Sequence, residues 1–94
     1  MIIDWSDLAL DDLASLRAYI AKDNPVAARK TALTIVTSVE TVAQTPDIGR
    51  PGRVPGTREL VITRTPYIVP YRQRGGTLQI LRVYHGARRW PDWF

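Results

Sequence analysis

Apolar side chains recur at three- and four-residue steps through the first 44 residues, a spacing that predicts two amphipathic α-helices. The first helix is expected at about Ser6 to Lys22, and the second ends near Gln44. Asn24 can cap the second helix, and Pro25 fits its first turn, where the missing N–H costs nothing. The inward faces would carry Trp5, Ala9, Leu13, Leu16 and Ile20, then Ala28, Ala32, Ile35, Val39 and Val42 or Ala43. The pattern predicts an antiparallel helical hairpin at about residues 6–44.

The pattern changes to strands after Pro46, which ends the hairpin. Three glycines and two further prolines follow within Ile48 to Gly56, so residues 45–56 are expected to be loop. Beyond the loop, three alternating segments predict an antiparallel β-meander at about residues 57–85. These segments are Glu59 to Arg64, Tyr67 to Arg74 and Thr77 to His85, with Gly75-Gly76 as a tight turn. Ile2 and Ile3 suit an edge strand, and Pro70 is expected at an edge or beside a bulge because it cannot donate to a ladder.

The two faces of the meander are expected to differ in chemistry. One face carries Tyr67, Val69, Tyr71, Leu81 and Val83, which suits packing against the helices. The other face carries Arg72 and Arg82 with Ile68, Ile80 and Tyr84, which suits binding. In the first strand both alternating sets contain apolar side chains, so periodicity leaves its inward face open. We place Arg64 with the basic set.

Length and composition indicate one small domain spanning residues 1–94. The predicted elements place it in the α+β class, with an N-terminal antiparallel helical hairpin packed on a small, mainly antiparallel β-sheet. The chain has no cysteine and one histidine, which excludes disulfides, thiolate metal sites and His-rich clusters. Neither metal nor cofactor is expected. No stretch approaches the roughly 18–20 apolar residues of a membrane span, and the N-terminus lacks a basic leader. We therefore expect a cytoplasmic protein with no membrane partner.

Charge is divided unevenly along the chain. Up to Asp47, four basic side chains face seven acidic ones, whereas from Ile48 onward nine arginines face only Glu59 and Asp92. This asymmetry predicts that the C-terminal half meets a polyanion, either nucleic acid or an acidic protein segment. Arginine also supplies a planar fork of donors that holds phosphate or carboxylate bidentately. A solvated, arginine-biased surface is the alternative interpretation.

The C-terminal segment, residues 86–94, is dense in aromatic side chains. Trp90, Trp93 and Phe94 lie within five residues of one another. Aromatic side chains at that density form either a lid on the core or an anchor for a partner, and the sequence favours neither.

An ordered set of short motifs across nearly the whole chain resembles the RelE/ParE superfamily of bacterial toxins. The motifs are Trp5-Ser6, Tyr19-Ile20, Asn24-Pro25-x-Ala27-Ala28, Gly49-Arg50-Pro51-Gly52, Thr57-Arg58-Glu59-Leu60-Val61, Tyr67-Ile68-Val69-x-Tyr71-Arg72, and Ile80 to Arg88. The resemblance implies the toxin half of a type II toxin–antitoxin module, with the helical hairpin and sheet predicted above.

Two activities follow from this resemblance. RelE-like members cut messenger RNA on the ribosome without metal, whereas ParE-like members inhibit DNA gyrase by binding it. Aligned with RelE-like nucleases, Ile68 falls where an arginine contacts phosphate, and Glu59 and Val61 fall near lysine positions. These departures slightly favour gyrase as the target over the ribosome and its mRNA, and they leave open whether the protein is an enzyme. A third alternative is a non-toxic module that binds antitoxin or nucleic acid.

The resemblance also implies candidate site residues. In a nuclease, His85 would be the acid or base and Arg82 would contact the phosphate. The structural alternatives are that His85 bonds a backbone carbonyl and that Arg82 pairs with Glu59 or Asp92. The residues expected to contact the target or nucleic acid are Arg64, Arg72, Arg82, Tyr84, Arg88 and Arg89.

The resemblance further implies a cognate antitoxin. We expect an acidic, amphipathic antitoxin helix that folds on binding in the groove beside the helical hairpin. The residues expected to contact the antitoxin are Arg50, Arg53, Trp90, Trp93 and Phe94. The sequence leaves the toxin-to-antitoxin stoichiometry open.

Overall fold

The computed structural model describes residues 1–94 and contains two helices and six strands. The helices are α1 (Asp7–Ala21) and α2 (Pro25–Gln44). The strands are β1 (Ile2–Trp5), β2 (Arg50–Pro51), β3 (Arg58–Val61), β4 (Tyr67–Arg74), β5 (Thr77–Ile80) and β6 (Tyr84–His85). A short 3-10 turn, Pro46–Ile48, follows α2, so the predicted loop at residues 45–56 contains both this turn and β2.

The helical hairpin is confirmed, and local capping explains both helix starts. The Ser6 hydroxyl accepts the backbone N–H of Ala9 at 3.0 Å and donates to the carbonyl of Leu81 at 2.8 Å. Asn24 caps α2 by accepting the N–H of Ala27 at 3.0 Å, and Pro25 occupies the first turn, as predicted. Ser6 therefore both starts α1 and ties it to the connection between β5 and β6.

The sheet is mainly antiparallel, in the order β1-β5-β4-β3-β2, with β6 also paired to β4. β1 lies at an edge, as predicted, and runs parallel to β5 from the Ile2–Thr77 pair to the Trp5–Ile80 pair. The open question about β3 is answered by burial and register. Leu60 lies opposite Val69 and packs on the core, whereas Glu59 lies opposite Pro70 on the other face.

The prediction of one continuous third strand from Thr77 to His85 is wrong. The β4–β5 ladder ends at the Tyr71–Ile80 pair, and the β4–β6 ladder resumes at the Ile68–Tyr84 pair. Between these pairs, two residues of β4 oppose three residues, 81–83, which is a β-bulge. The bulge lies beside Pro70, whose carbonyl accepts the N–H of Leu81 at 3.0 Å, so the prediction for Pro70 is confirmed. The extra residue lets Ile80 and Val83 both reach the core.

The prediction for Arg64 is also wrong, because β3 ends before reaching it. Arg64 lies in the turn to β4 with φ 67°, a left-handed conformation uncommon for a side chain of this size. The hydroxyl of Thr65 shapes this turn by donating to the carbonyl of Ile62 at 2.9 Å and accepting the N–H of Tyr67 at 3.1 Å. Arg64 lines a polar pocket together with Lys30 of α2 and does not line the pocket that contains Arg82, Arg88 and Arg89.

The core lies between the helical hairpin and one face of the sheet. It consists of eleven buried residues: Ala9, Leu16, Ile35, Val39, Val42, Ile62, Val69, Tyr71, Leu78, Ile80 and Val83. Tyr71 is the largest of them, and its hydroxyl donates to the carbonyl of Pro46 at 2.7 Å while accepting the N–H of Gly49 at 2.9 Å. A side chain at position 49 would collide with the Tyr71 ring, so glycine is required there. The second face of the sheet is left for the C-terminal segment.

Candidate interaction groove at the C-terminal segment

The C-terminal segment folds back on the second face of the sheet and forms an open groove of about 680 Å³ with the start of α1. We call this the tail groove. It is lined by Ser6, Leu8, Leu81, Arg82, Tyr84, Arg88, Arg89, Trp90, Pro91, Trp93 and Phe94. Two groups that the sequence analysis kept apart, part of the predicted target set and part of the predicted antitoxin set, therefore meet in one place.

Tyr84 forms the centre of the groove and is only 2% exposed. The guanidinium carbons of Arg82 and Arg88 lie 4.7 and 4.6 Å from the centre of its ring. The Trp90 ring meets Tyr84 edge to face, with centroids 5.0 Å apart, and the Phe94 ring lies 6.3 Å away. Cation–π and aromatic contacts of this kind hold the segment on the sheet. The indole N–H of Trp90 is buried without a hydrogen-bond partner.

Arg82 is fixed by Asp12 of α1, and not by Glu59 or Asp92 as the sequence suggested. Its Nε and one terminal nitrogen each donate to the Asp12 carboxylate at 2.8 Å, and the backbone N–H of Val83 donates to the same group at 2.9 Å. The hydrogen bond from Arg82 to Asp12 is the main cause that raises the Arg82 pKa above its ordinary value. These hydrogen bonds hold the bulge against α1, and the Asp12 carboxylate offsets the positive charge of Arg82.

Arg50 and Arg53, predicted to contact the antitoxin, are held by Glu59. Arg50 donates to Glu59 Oε1 through Nε at 3.1 Å and a terminal nitrogen at 2.9 Å, while Arg53 donates to Oε2 through its backbone N–H at 2.8 Å and Nε at 3.1 Å. Glu59 is 2% exposed. Burial alone would raise the pKa of Glu59, but the hydrogen bonds from Arg53 and Arg50 outweigh it and lower that pKa below the usual carboxyl range.

Arg53 also joins this cluster to the tail groove. Its guanidinium carbon lies 3.9 Å from the centre of the Trp90 ring. A continuous set of contacts therefore runs from Glu59 through Arg53 and Trp90 to Tyr84. Arg50 takes no part in this connection and lies outside the groove.

His85, the predicted acid or base, is not brought together with Arg82. In the β4–β6 ladder His85 pairs with Tyr67 and Tyr84 pairs with Ile68, so His85 and Tyr84 point to opposite faces of the sheet. The imidazole meets the Tyr67 ring edge to face with centroids 5.8 Å apart, and its Nδ1 accepts the N–H of Ala87 at 3.1 Å. The backbone partner of His85 is therefore an amide and not the carbonyl that we expected.

Arg72 also lies outside the tail groove. Its Nε donates to the side-chain oxygen of Gln79 at 2.7 Å, across the β4–β5 ladder. Of the six residues predicted to contact the target, Arg82, Tyr84, Arg88 and Arg89 share the groove, whereas Arg64 and Arg72 do not.

Sequence reasoning missed three contributors from the beginning of the chain. Ser6 and Leu8 line the groove, and Asp12 positions Arg82. Asp12 lies on the polar side of the helix that periodicity predicts, so the sequence pattern indicates no buried partner for it. No local signal distinguishes it from its exposed neighbour Asp11, since its partner is 70 residues away.

A second, smaller groove of about 410 Å³ runs between α1 and α2 of the helical hairpin. It is lined by Leu10, Leu13, Ala14, Arg17, Arg29, Ala32, Leu33 and Val36. No group of three or more histidine or carboxylate side chains is arranged to hold a metal ion. Neither helix has the length and apolar character needed to cross a bilayer.

Comparison with known proteins places this architecture among toxins. The sequence profile described as "ParE toxin of type II toxin-antitoxin system, parDE" matches residues 3–90. A protein of Sinorhizobium fredii named "Putative toxin Y4kP" is 45% identical over 90 residues, covering 96% of this chain and 93% of its own length. "Toxin RelE2" of Caulobacter vibrioides is 37% identical over 84 residues, covering 89% of this chain and 93% of its own.

The fold comparison agrees. A solved structure described as "Chromosomal ParDE TA system from P. aeruginosa" superposes with a TM-score of 0.81 at 33% sequence identity, covering 90% of this chain and 95% of the other. Profile, relatives and fold all agree with the helical hairpin and sheet described above. The chain therefore belongs to the ParE toxin family of type II toxin–antitoxin systems, within the RelE/ParE superfamily.

Proposed function

We propose that this toxin arrests growth by binding and inhibiting DNA gyrase in the cytoplasm, without cleaving RNA. The observation that carries the proposal is the separation of His85 from the arginines of the tail groove by the β4–β6 register. RNA cleavage by attack of a ribose hydroxyl needs a proton acceptor, a proton donor and cations around one phosphate. His85 and Arg82 point away from one another and do not supply that combination.

Two other charged side chains on the sheet, Glu59 and Arg82, form ion pairs within the protein. Glu59 receives hydrogen bonds from two arginines, and its lowered pKa means that it remains a carboxylate held in an ion-pair cluster at neutral pH. Arg82 is neutralised by Asp12. Ile68, which pairs with Tyr84, is aliphatic at the position where the resemblance to RelE-like nucleases implies a phosphate-contacting arginine. These contacts support inhibition by binding over catalysis.

The tail groove has the residue types expected of a protein-binding surface. Tryptophan, tyrosine and arginine dominate binding energy at protein interfaces, and the groove contains all three types. Trp93 is 77% exposed and Leu8 is 56% exposed, so a large apolar surface is available for a protein target.

The test is a gyrase supercoiling reaction with purified toxin, run beside a cell-free translation reaction in which mRNA 5′ ends are mapped. We expect supercoiling to stop and the message to remain intact, and pre-incubation with antitoxin to restore supercoiling. Replacing Trp93 by Ala should weaken inhibition, whereas replacing His85 by Gln should leave it unchanged. Untouched gyrase at large toxin excess, or new mRNA ends that disappear with antitoxin, would overturn the proposal.

A further inference from the structure

The helical hairpin carries an apolar stripe on each helix that the rest of the chain leaves uncovered. Leu10 and Ala14 of α1 and Leu33 and Val36 of α2 border the groove between the helices, and none of them belongs to the buried core. Leu10 is 47% exposed and Leu33 is 64% exposed. We call the surface formed by these two stripes the hairpin face. Core packing does not account for its apolar side chains, which therefore mark it as an interaction surface.

A charged side chain stands at each end of both stripes. Asp7 and Arg17 end the stripe on α1, while Arg29 and Glu40 end the stripe on α2. Positions 7, 10, 14 and 17, like positions 29, 33, 36 and 40, follow steps of three and four residues, so each charge shares the side of the helix that carries its stripe. All four charged side chains are exposed, and none forms an ion pair within the chain. Because the helices are antiparallel, both carboxylates lie at the open end of the hairpin and both arginines lie towards its turn.

This arrangement of charges is complementary to a second copy of itself. When a second hairpin lies antiparallel on the first, Arg29 of each copy faces Glu40 of the other, and Asp7 of each faces Arg17 of the other. One twofold axis can relate both sets of pairs only if they are centred at the same level of the hairpin. The midpoint between Asp7 and Arg17 lies nine residues before the last residue of α1. The midpoint between Arg29 and Glu40 lies nine to ten residues after the first residue of α2, so the two centres coincide.

We propose that the hairpin face joins two copies of this toxin in an antiparallel, twofold-symmetric dimer. An acidic antitoxin helix fits the face less well, because it would match the arginines near the turn and be repelled by Asp7 and Glu40 at the open end. Each stripe is about 15–17 Å long at about 1.5 Å per residue. The interface is therefore at the small end of the range for specific protein contacts, so we expect a micromolar dissociation constant and a monomer at low concentration.

The dimer leaves the tail groove of both copies free. The hairpin packs on one face of the sheet and the C-terminal segment lies on the other, so association through hairpins does not cover the groove. Two tail grooves in one particle raise the apparent affinity for any target that offers two equal sites. The inference goes beyond gyrase inhibition and does not depend on it.

The test is sedimentation equilibrium of the purified toxin without antitoxin, from about 1 µM to about 500 µM, a range that spans a micromolar dissociation constant. We expect the mean mass to rise from that of one chain towards that of two. Leu33→Glu places a carboxylate at the centre of the face and should raise the dissociation constant about tenfold or more. The matched control is Ile48→Glu, the same kind of change at an exposed apolar side chain outside the hairpin, which should leave the dissociation constant unchanged.

Exchanging the charges of α2 identifies the partner and its orientation. Arg29→Glu gives a stripe with a carboxylate at both ends, and Glu40→Arg gives one with an arginine at both ends. Each variant alone should dimerise about tenfold more weakly, because like charges then face one another. The two variants mixed together should associate, and a chain with both changes should dimerise like the original, because opposite charges face one another again. Both changes agree in sign with the helix dipole, so we expect the fold to be kept, and circular dichroism checks it.

Four results would overturn the inference. The first is a toxin that remains monomeric over the whole concentration range. The second is a pair of single-charge variants that do not associate when mixed although the original chain dimerises, since the contact would then lie elsewhere or have the other orientation. The third is an equal loss of dimer in Leu33→Glu and Ile48→Glu, which would mean that added charge in general is responsible. The fourth is weaker antitoxin binding by Leu33→Glu in a chain that never dimerises, which would assign the face to the antitoxin.

Discussion

Glu59 is the residue whose protonation matters most for this fold. It is a buried carboxylate that neutralises two half-exposed arginines, and its pKa lies below the ordinary carboxyl value. A lowered folded-state pKa means that ionised Glu59 stabilises the protein at neutral pH. That contribution is lost as the pH falls below the unfolded-state value and through the folded-state value.

We therefore expect Glu59→Gln to lower the free energy of unfolding at pH 7 by about 2–4 kcal/mol, since it leaves two arginines facing an uncharged partner. The difference between the variant and the original chain should shrink on acidification towards pH 3. Urea unfolding at several pH values measures both effects. Glu40→Gln, an exposed change on α2, is the control. A constant difference at all pH values would contradict the assigned ion-pair role.

Tyr71 stabilises the segment that follows α2 through a single hydroxyl. That group bonds both Pro46 and Gly49, and burial is the main cause that raises the Tyr71 pKa above its ordinary value. Tyr71→Phe should lower the free energy of unfolding by about 1–3 kcal/mol, because it leaves an N–H and a carbonyl unpaired in the interior. Thermal unfolding measures the loss, with Tyr19→Phe at a 71% exposed position as the control. Equal melting temperatures for the two variants would refute this account.

Among the elements, the bulge at residues 81–83 depends on α1. Asp12 bonds both the Arg82 side chain and the Val83 backbone, so it holds the bulge in place from 70 residues away. We expect a double-mutant cycle of Asp12→Asn and Arg82→Gln to give a coupling energy of about 1–3 kcal/mol. The same cycle with Asp11→Asn, the exposed neighbour that makes no hydrogen bond to Arg82, should give a much smaller coupling. Additive effects in the first cycle would mean that the clamp contributes nothing to stability.

Whether an element could be predicted from the sequence depends on how local its signals are. The helical hairpin was predictable because its signals are local: an apolar repeat, Asn24 as a cap and Pro25 in the first turn. The bulge was not predictable from the sequence. Ile80, Leu81 and Val83 are all apolar, so the pattern does not show at which of these positions the alternation between the two faces of the sheet is interrupted. The partners of Arg82 and Glu59 depend on tertiary contacts, which periodicity does not encode. For the same reason the tail groove was predicted as two surfaces and not as one.

At the scale of the whole molecule, the C-terminal segment adds to the fold without belonging to its core. None of the eleven core residues lies beyond Val83. We expect a chain that ends at Ala87 to keep its helical content and to lose about 2–3 kcal/mol of stability through exposure of Tyr84. Growth after induction should be normal, because the tail groove is gone. Circular dichroism and a growth curve check the two parts, and arrest by the shortened chain would show that toxicity does not require the groove.

The parallel pairing of β1 with β5 links the order of synthesis to the appearance of the binding surface. β1 begins at Ile2 and pairs with Thr77, 75 residues later, and the groove combines Ser6 and Leu8 with residues from Leu81 onward. Contacts of such long sequence separation form late, after loop closure over most of the chain. On the ribosome, the helical hairpin can fold while the rest is still being made. A nascent chain that stalls before Thr77 would therefore carry the hairpin without the groove, and the complete surface can form only once the residues from Leu81 to Phe94 have been made.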